Sequence, residues 1–274
     1  NSPEDLLLSA DVQAIDVCIP TPYHRDAILK ALRNGKHVFC EKPLCANLEE
    51  ALEIQKETSI SGKTVMVGYL YRFHPAFEFV KKVLDEGIIG KPYFALFRLG
   101  GRGSHAVWKH RKEQGGGAVS EMLVHKLDLI SWYFGNIFRV TPLIFETVLS
   151  TREIDGENHE VNAEDLVLLK LVAEGVNIIC ESDLITPSYM DYIEIHGDNG
   201  SVFSSILDFM PTMVFCKQPR GDFRQGNNIY NFPAENLFER ELGHFVDSIK
   251  NGSRNINSVE DSVKTFKLIS QLKK

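Results

Sequence analysis

Two short stretches carry side chains that can hold and release a proton. In "VFCEKPLCAN" (38–47) an acid, a lysine and a proline follow directly on an apolar run. A segment that only reverses direction uses Gly, Asn or Asp more readily. An amine fixed between Glu41 and Pro43 where a strand runs out is therefore a candidate for chemistry, against the plainer reading of a solvated turn lysine. In "GGGAVSEMLVHKLD" (115–128) three glycines permit close backbone approach or unusual dihedrals. Glu121 and His125 then stand four residues apart, on one face of the helix that follows. A carboxylate beside an imidazole orients the ring and raises its basicity, which suits proton transfer. The same spacing suits half a zinc site or an ordinary polar pair on a surface helix. No third ligand is evident, and HExxH is absent.

Two weaker signals accompany these. "IPTPYH" (19–24) puts Pro20, Thr21 and His24 between a strand end and a helix start, where backbone N–H groups can meet phosphate or ribose. "WKHRK" (108–112) sets Trp108 in a basic patch just before the glycines, suited to an anionic or sugar-like substrate or to plain solvation.

The elements that must position these residues read in a regular order over the first 90 positions. "AIDVCIP", "HVFCE" and "TVMVGY" are short apolar strands. Between and after them "HRDAILKALRNG", "NLEEALEIQKETSISG" and "HPAFEFVKKVLDEG" carry helical periodicity. Asn47 with Glu50 three residues on is a helix-start signature, and Pro75 sits at a first helical turn. Strand and helix in alternation predict a parallel α/β sheet. Lys42 then lies beyond a strand's carboxyl end, where open parallel sheets place ligands. From residue 92 the texture changes to strands such as "EDLVLLKLVA", "VNIICESDLI" and "YIEIHG", joined by "AEG" and "GDNG" turns, with helices near 117–135, 235–250 and 258–272. "DLVLLKLVA" is apolar at nearly every position, as suits a sheet covered on both faces. The fold class is thus α/β plus α+β: a partial parallel sheet followed by a mostly antiparallel open sheet.

Composition narrows the function classes. The 274 residues are 43% hydrophobic and 24% charged with net charge −7, which argues against nucleic acid and anionic membrane surfaces as partners. No apolar run reaches the length of a membrane span. Five scattered cysteines without paired zinc spacing are expected as buried free thiols in a reducing cytoplasm, with no metal site.

Taken in order, these pieces resemble the Gfo/Idh/MocA family of NAD(P)-dependent oxidoreductases, which includes glucose–fructose oxidoreductase and inositol dehydrogenases. "GKHVFCEKPL" (35–44) is similar to the family's most recognisable stretch, and "VGYLYRFHP" (67–75) to the strand end after it. "EGIIGKP" (86–92), "GGGAVSEMLVHKLDLISWYFG" (115–135) and "FERELGHFVDSIKNG" (238–252) match in register, so the resemblance covers nearly the whole chain. It implies residues 1–90 as the C-terminal part of a dinucleotide-binding Rossmann domain, and 91–274 as a substrate-binding and oligomerisation domain. It implies NAD or NADP as cofactor and a sugar, sugar derivative or cyclitol as substrate. It further implies a homodimer or homotetramer with the second sheet at the interface. Lys42 falls on the lysine that assists proton transfer, and His125 on the acid/base at the reacting carbon. Glu121 falls where the family usually carries an aspartate, one methylene shorter, that partners the histidine. Pro20, Thr21, His24 and Glu41 fall, with Lys42, on cofactor-binding positions. Arg72 falls on an arginine of structural or substrate-proximal role; Trp108 is a substrate-binding candidate from the basic and aromatic patch alone.

The chemistry is consistent with that resemblance. Removing hydride from a secondary alcohol requires a base at its oxygen. An ammonium beside a positive nicotinamide is disfavoured by like charge, which moves a lysine toward neutrality. The GxGxxG fingerprint, however, occurs nowhere in the sequence, and the chain reads as starting inside the dinucleotide domain. Alone, it is expected to be inactive. The rival reading is a non-catalytic ligand-binding or regulatory protein on the same scaffold.

Overall fold

The structure, a computed structural model, describes residues 3–103 and 106–272. After a short helix α1 (Pro3–Leu8), strand β1 (Ala14–Val17), helix α2 (His24–Arg33), strand β2 (His37–Cys40), helix α3 (Leu48–Ser61) and strand β3 (Val65–Val67) follow one another. The three strands form a parallel sheet in the order β1-β2-β3, with Ile15 beside Val38 and Phe39 beside Met66. Local sequence explains the helices. Ile28, Ala31 and Leu32 recur at helical spacing on the buried face of α2. At α3 the Asn47 side chain accepts from Glu50 N while Glu50 Oε2 accepts from Ala46 N, and Gly62 ends the helix in the left-handed region at φ 63°.

Helix α4 (Pro75–Asp85) precedes strand β4 (Pro92–Gly100). A π-turn over Val119–Leu123 leads into helix α5 (Val124–Phe134). Strand β5 (Ile137–Glu146) follows, and β6 (Thr151–Ile154) and β7 (Glu157–Glu160) make a small hairpin. Then come β8 (Leu166–Ala173), β9 (Val176–Asp183), β10 (Met190–Gly197), β11 (Gly200–Ser205), β12 (Thr212–Cys216) and β13 (Gly226–Tyr230). Eight strands build one sheet in the order β13-β12-β11-β10-β4-β9-β8-β5, antiparallel except for the β4–β9 pair. The predicted fold class is the one found. Between β8 and β9 the tight turn uses positive φ at Glu174 (45°) and Gly175 (85°), as a two-residue hairpin requires.

One face of this sheet is core: Ala95, Phe97, Leu99, Leu169, Leu171, Ile178, Cys180, Ile193, Ile195 and Val202 are buried. The opposite face differs from the expectation for "DLVLLKLVA". Leu166, Leu168 and Val172 are only half-buried there and Lys170 is exposed. Along the same face Met213, Phe215 and Ile229 remain open.

The chain closes with α6 (Leu237–Lys250) and α7 (Val259–Ile269). The compact units divide at Leu70 and Asn236, not at residue 90: unit one is 1–70 with 236–274, and unit two is 71–235. The C-terminal segment joins unit one for hydrogen-bonding reasons. Asn257 O accepts from Val67 N, and Asn255 Nδ2 donates to Val65 O, so the outer edge of β3 is paired from a distant part of the chain. Helix α4, read by sequence alternation as part of the parallel layer, belongs to unit two. Its Phe77, Val80 and Val83 are buried there, and Tyr133 Oη donates to Phe77 O.

Candidate active site

In unit one the candidate residues gather at the carboxyl ends of the parallel strands. Lys42 is half-buried and its peptide bond to Pro43 is cis. Its backbone N–H donates to Glu41 Oε2 at 3.2 Å. A Cβ on Gly68 would stand in ordinary van der Waals contact, 3.6 Å from the same carboxylate oxygen and 3.4 Å from the Phe39 ring. The His24 ring is 1% exposed, with Nε2 2.6 Å from Ile19 O and Nδ1 2.9 Å from Pro43 O. It ties the loop after β1 to the loop after β2, and so sets where Pro43 sits. Thr21 is buried as well, while Pro20 is exposed.

Negative charge collects around these loops. Glu241, on α6, is 1% exposed, and its Oε2 has no hydrogen-bond partner among the described residues. Burial, with Glu41 and Asp16 nearby, pushes its carboxyl up to about 8. Cys18 is exposed, unlike the four buried cysteines, and donates to Asp16 Oδ1 at 3.1 Å. Partial burial of the sulfur and the Asp16 carboxylate push this thiol up to about 12.

In unit two the glycines do what close approach requires. A Cβ on Gly116 would overlap the Lys109 carbonyl, and one on Gly117 (φ 120°) would overlap the Glu164 carboxylate. Gly117 N donates to Lys109 O and Ala118 N to Glu164 O, so residues 108–109 are fastened to the start of the helix. The helix does not begin as a regular α-helix: the π-turn over Val119–Leu123 holds Glu121, and His125 follows on the first turn of α5. This widened turn alters the i,i+4 geometry read from the sequence. Glu121 accepts from Lys109 Nζ at 2.8 Å, and that ammonium lies 5.3 Å from the Trp108 ring centroid. Trp108 and Lys109 are half-buried, so the patch is partly built into the site rather than fully solvated.

Around His125 lie residues that sequence reasoning missed. The Tyr71 ring stacks on it with centroids 4.8 Å apart and planes 25° apart. Tyr71 Oη donates to Asp191 Oδ2, whose partner oxygen accepts from Lys126 Nζ at 2.6 Å; the Tyr189 hydroxyl is 2.9 Å from that of Tyr71. Arg72 is buried. Its Nε donates to Asp128 Oδ2 at 2.8 Å and its Nη2 to Asp128 Oδ1 at 2.6 Å.

Residues 1–69 match the oxidoreductase family with an NAD-binding Rossmann fold, and residues 77–203 match the GFO/IDH/MocA C-terminal domain. An inositol 2-dehydrogenase of Rhizobium meliloti (strain 1021) is 30% identical over 265 residues, covering 95% of this chain and 77% of its own length. The chain belongs to the Gfo/Idh/MocA family of NAD-binding oxidoreductases. A myo-inositol 2-dehydrogenase of Thermotoga maritima is 26% identical over 261 residues, 94% of this chain and 76% of that protein. The crystal structure of a levoglucosan dehydrogenase with NADH and levoglucosan superposes with a TM-score of 0.87 at 21% identity, over 97% of this chain and 78% of the other. That likeness concerns the fold.

Proposed function

We propose that this protein is an NAD(P)-dependent dehydrogenase or reductase acting at a secondary alcohol or ketone of a sugar, sugar derivative or cyclitol. The observation that carries the reading is the setting of His125: half-buried on the first turn of α5, stacked by Tyr71, with the Glu121–Lys109 pair on the adjoining turn. The inositol and levoglucosan specificities of its relatives support the substrate class.

In this reading Pro20, Thr21, Glu41 and Lys42 would hold the cofactor, whose nicotinamide, when bound, supplies the hydride acceptor. His125 takes the hydroxyl proton as the carbon is oxidised and returns it in reduction, because oxidation of an alcohol leaves that proton to be removed. Lys42, with Glu41 on its own backbone N–H, is the second proton-handling residue. Trp108 offers an apolar ring to a sugar face. His24 acts through the loops it ties rather than by touching the cofactor.

The test is nicotinamide fluorescence of NADH and of NADPH on addition of the protein, followed by turnover with inositols and anhydro-, keto- and aldo-sugars. In a form of the protein that binds either nucleotide, activity is expected to fall by roughly 100-fold or more in His125→Asn and Lys42→Ala. Nucleotide binding with turnover untouched by both substitutions would remove these residues from the reaction. The open, partly apolar second face of the eight-stranded sheet supports assembly as at least a dimer; a monomeric mass in light scattering at micromolar concentration counts against it.

A further inference from the structure

Tyr71, Lys126 and Asp191 lie far apart in the sequence and meet beside His125. The side chains of Lys126 and Asp191 are 0% exposed and form an ion pair at 2.6 Å. The second carboxylate oxygen of Asp191 accepts from the Tyr71 hydroxyl at 2.5 Å. Burial raises the pKa of that hydroxyl well above its ordinary value, so it stays a donor. The main chain of Asp191 is held too, since Ser205 Oγ donates to its carbonyl. The Lys126 ammonium lies 5.1 Å from the ring centroid of Tyr71 and 5.1 Å from that of Phe77.

A buried ion pair is seldom the cheapest way to stabilise a core, because desolvating two charges costs about what their attraction returns. What such a pair does provide is direction: a charge-assisted hydrogen bond is roughly twice as strong as a neutral one and fixes its partner's orientation. Here the partner is a phenol whose ring covers an imidazole. We infer that Tyr71, anchored by the Lys126–Asp191 pair, is a positioning residue that fixes the ring plane of His125. The inference rests on the reading of His125 as the acid/base. An imidazole on a first helical turn can rotate about two side-chain bonds, and a stacked, immobile phenol leaves it one plane. Two further ion pairs lie nearby, Glu121 with Lys109 and Arg72 with Asp128, and Tyr133 is close enough to feel Asp191 and Asp128. Tyr189 is hydrogen-bonded to Tyr71.

The test uses the full chain with ring-labelled histidine, the His125 signals being assigned by their loss in His125→Gln. A stacked phenol shifts the ring protons of His125 upfield. Tyr71→Leu is expected to abolish that shift. Tyr71→Phe and Asp191→Asn each reduce it and broaden the signals, and the double variant loses no more than the larger single loss, because both remove one anchor. Losses that add in the double variant, or His125 signals unchanged in Tyr71→Phe while Tyr71→Leu moves them, would overturn the anchoring. Thermal unfolding monitors the fold. If Asp191→Asn does not fold, the apolar replacement Lys126→Met with Asp191→Leu is expected to give the same partial loss, and an unchanged spectrum there also overturns it. In turnover, Tyr71→Phe should lower kcat roughly 10-fold with KM nearly unchanged. If His125→Asn leaves turnover intact while the spectra behave as expected, the acid/base reading fails and the positioning stands.

Discussion

The two units hold their candidate proton-handling residues in opposite ways. In unit one Lys42 is placed through the backbone: its own N–H is taken by Glu41, and the Pro43 carbonyl by a buried histidine ring. In the same unit Glu241 is buried with Glu41 and Asp16 as neighbours, and its carboxyl is pushed up to about 8. In unit two His125 sits among charges that are each matched, Lys126 with Asp191, Arg72 with Asp128 and Lys109 with Glu121. Matched pairs stabilise a geometry against change, because removing either partner strands the other. A buried acid whose pKa is raised leaves a region whose stability moves with pH.

The largest effect expected from this contrast is at the matched pairs. Asp128→Ala should destabilise unit two by about 3–5 kcal/mol, since it leaves the Arg72 guanidinium buried beside Trp132. Arg72→Met with Asp128→Leu should recover most of that loss in chemical denaturation; failure to recover would mean that the pair does more than balance charge.

Glu241→Gln should have the opposite sign. A carboxyl that is higher in the folded chain, about 8, than in the unfolded one keeps its proton on folding. Its burial is therefore tolerated below the unfolded value, and stability is lost as pH rises toward 8. The glutamine variant should match the parent near pH 4.5 and exceed it by on the order of a few kcal/mol at pH 8.5. Parallel stability curves across that range would show that Glu241 is not held protonated. The smallest effect is at Cys18: although exposed, its thiol should react with iodoacetamide at pH 8 far more slowly than a free cysteine, and Asp16→Asn should speed it.

Comparing sequence and structure element by element shows where local information sufficed. The Asn47–Glu50 box, the stripe of α2 and the Glu174–Gly175 turn are legible because their partners lie within four residues. So is Lys42, since a strand end is a local event. The π-turn before His125 was not, because it depends on Lys109 and Glu164 seating the glycines from elsewhere in the chain. Nor was the return of residues 236–274 to unit one, which follows from long-range pairing with β3.

By itself, then, the sequence determined the strands and helices of the parallel layer and several of the later strands, that a parallel layer precedes a mostly antiparallel one, and that a lysine and a histidine stand at element ends. Those features depend on periodicity and capping, which act over a few residues. Only the tertiary structure decided that His24 faces two carbonyls, that Glu241 Oε2 is buried without a hydrogen-bond partner among the described residues, and that Lys126 and Asp191 meet at the Tyr71 that stacks on His125. Burial and charge pairing between residues tens of positions apart leave no local pattern, because the groups that satisfy a buried charge are chosen by the packing of the whole sheet.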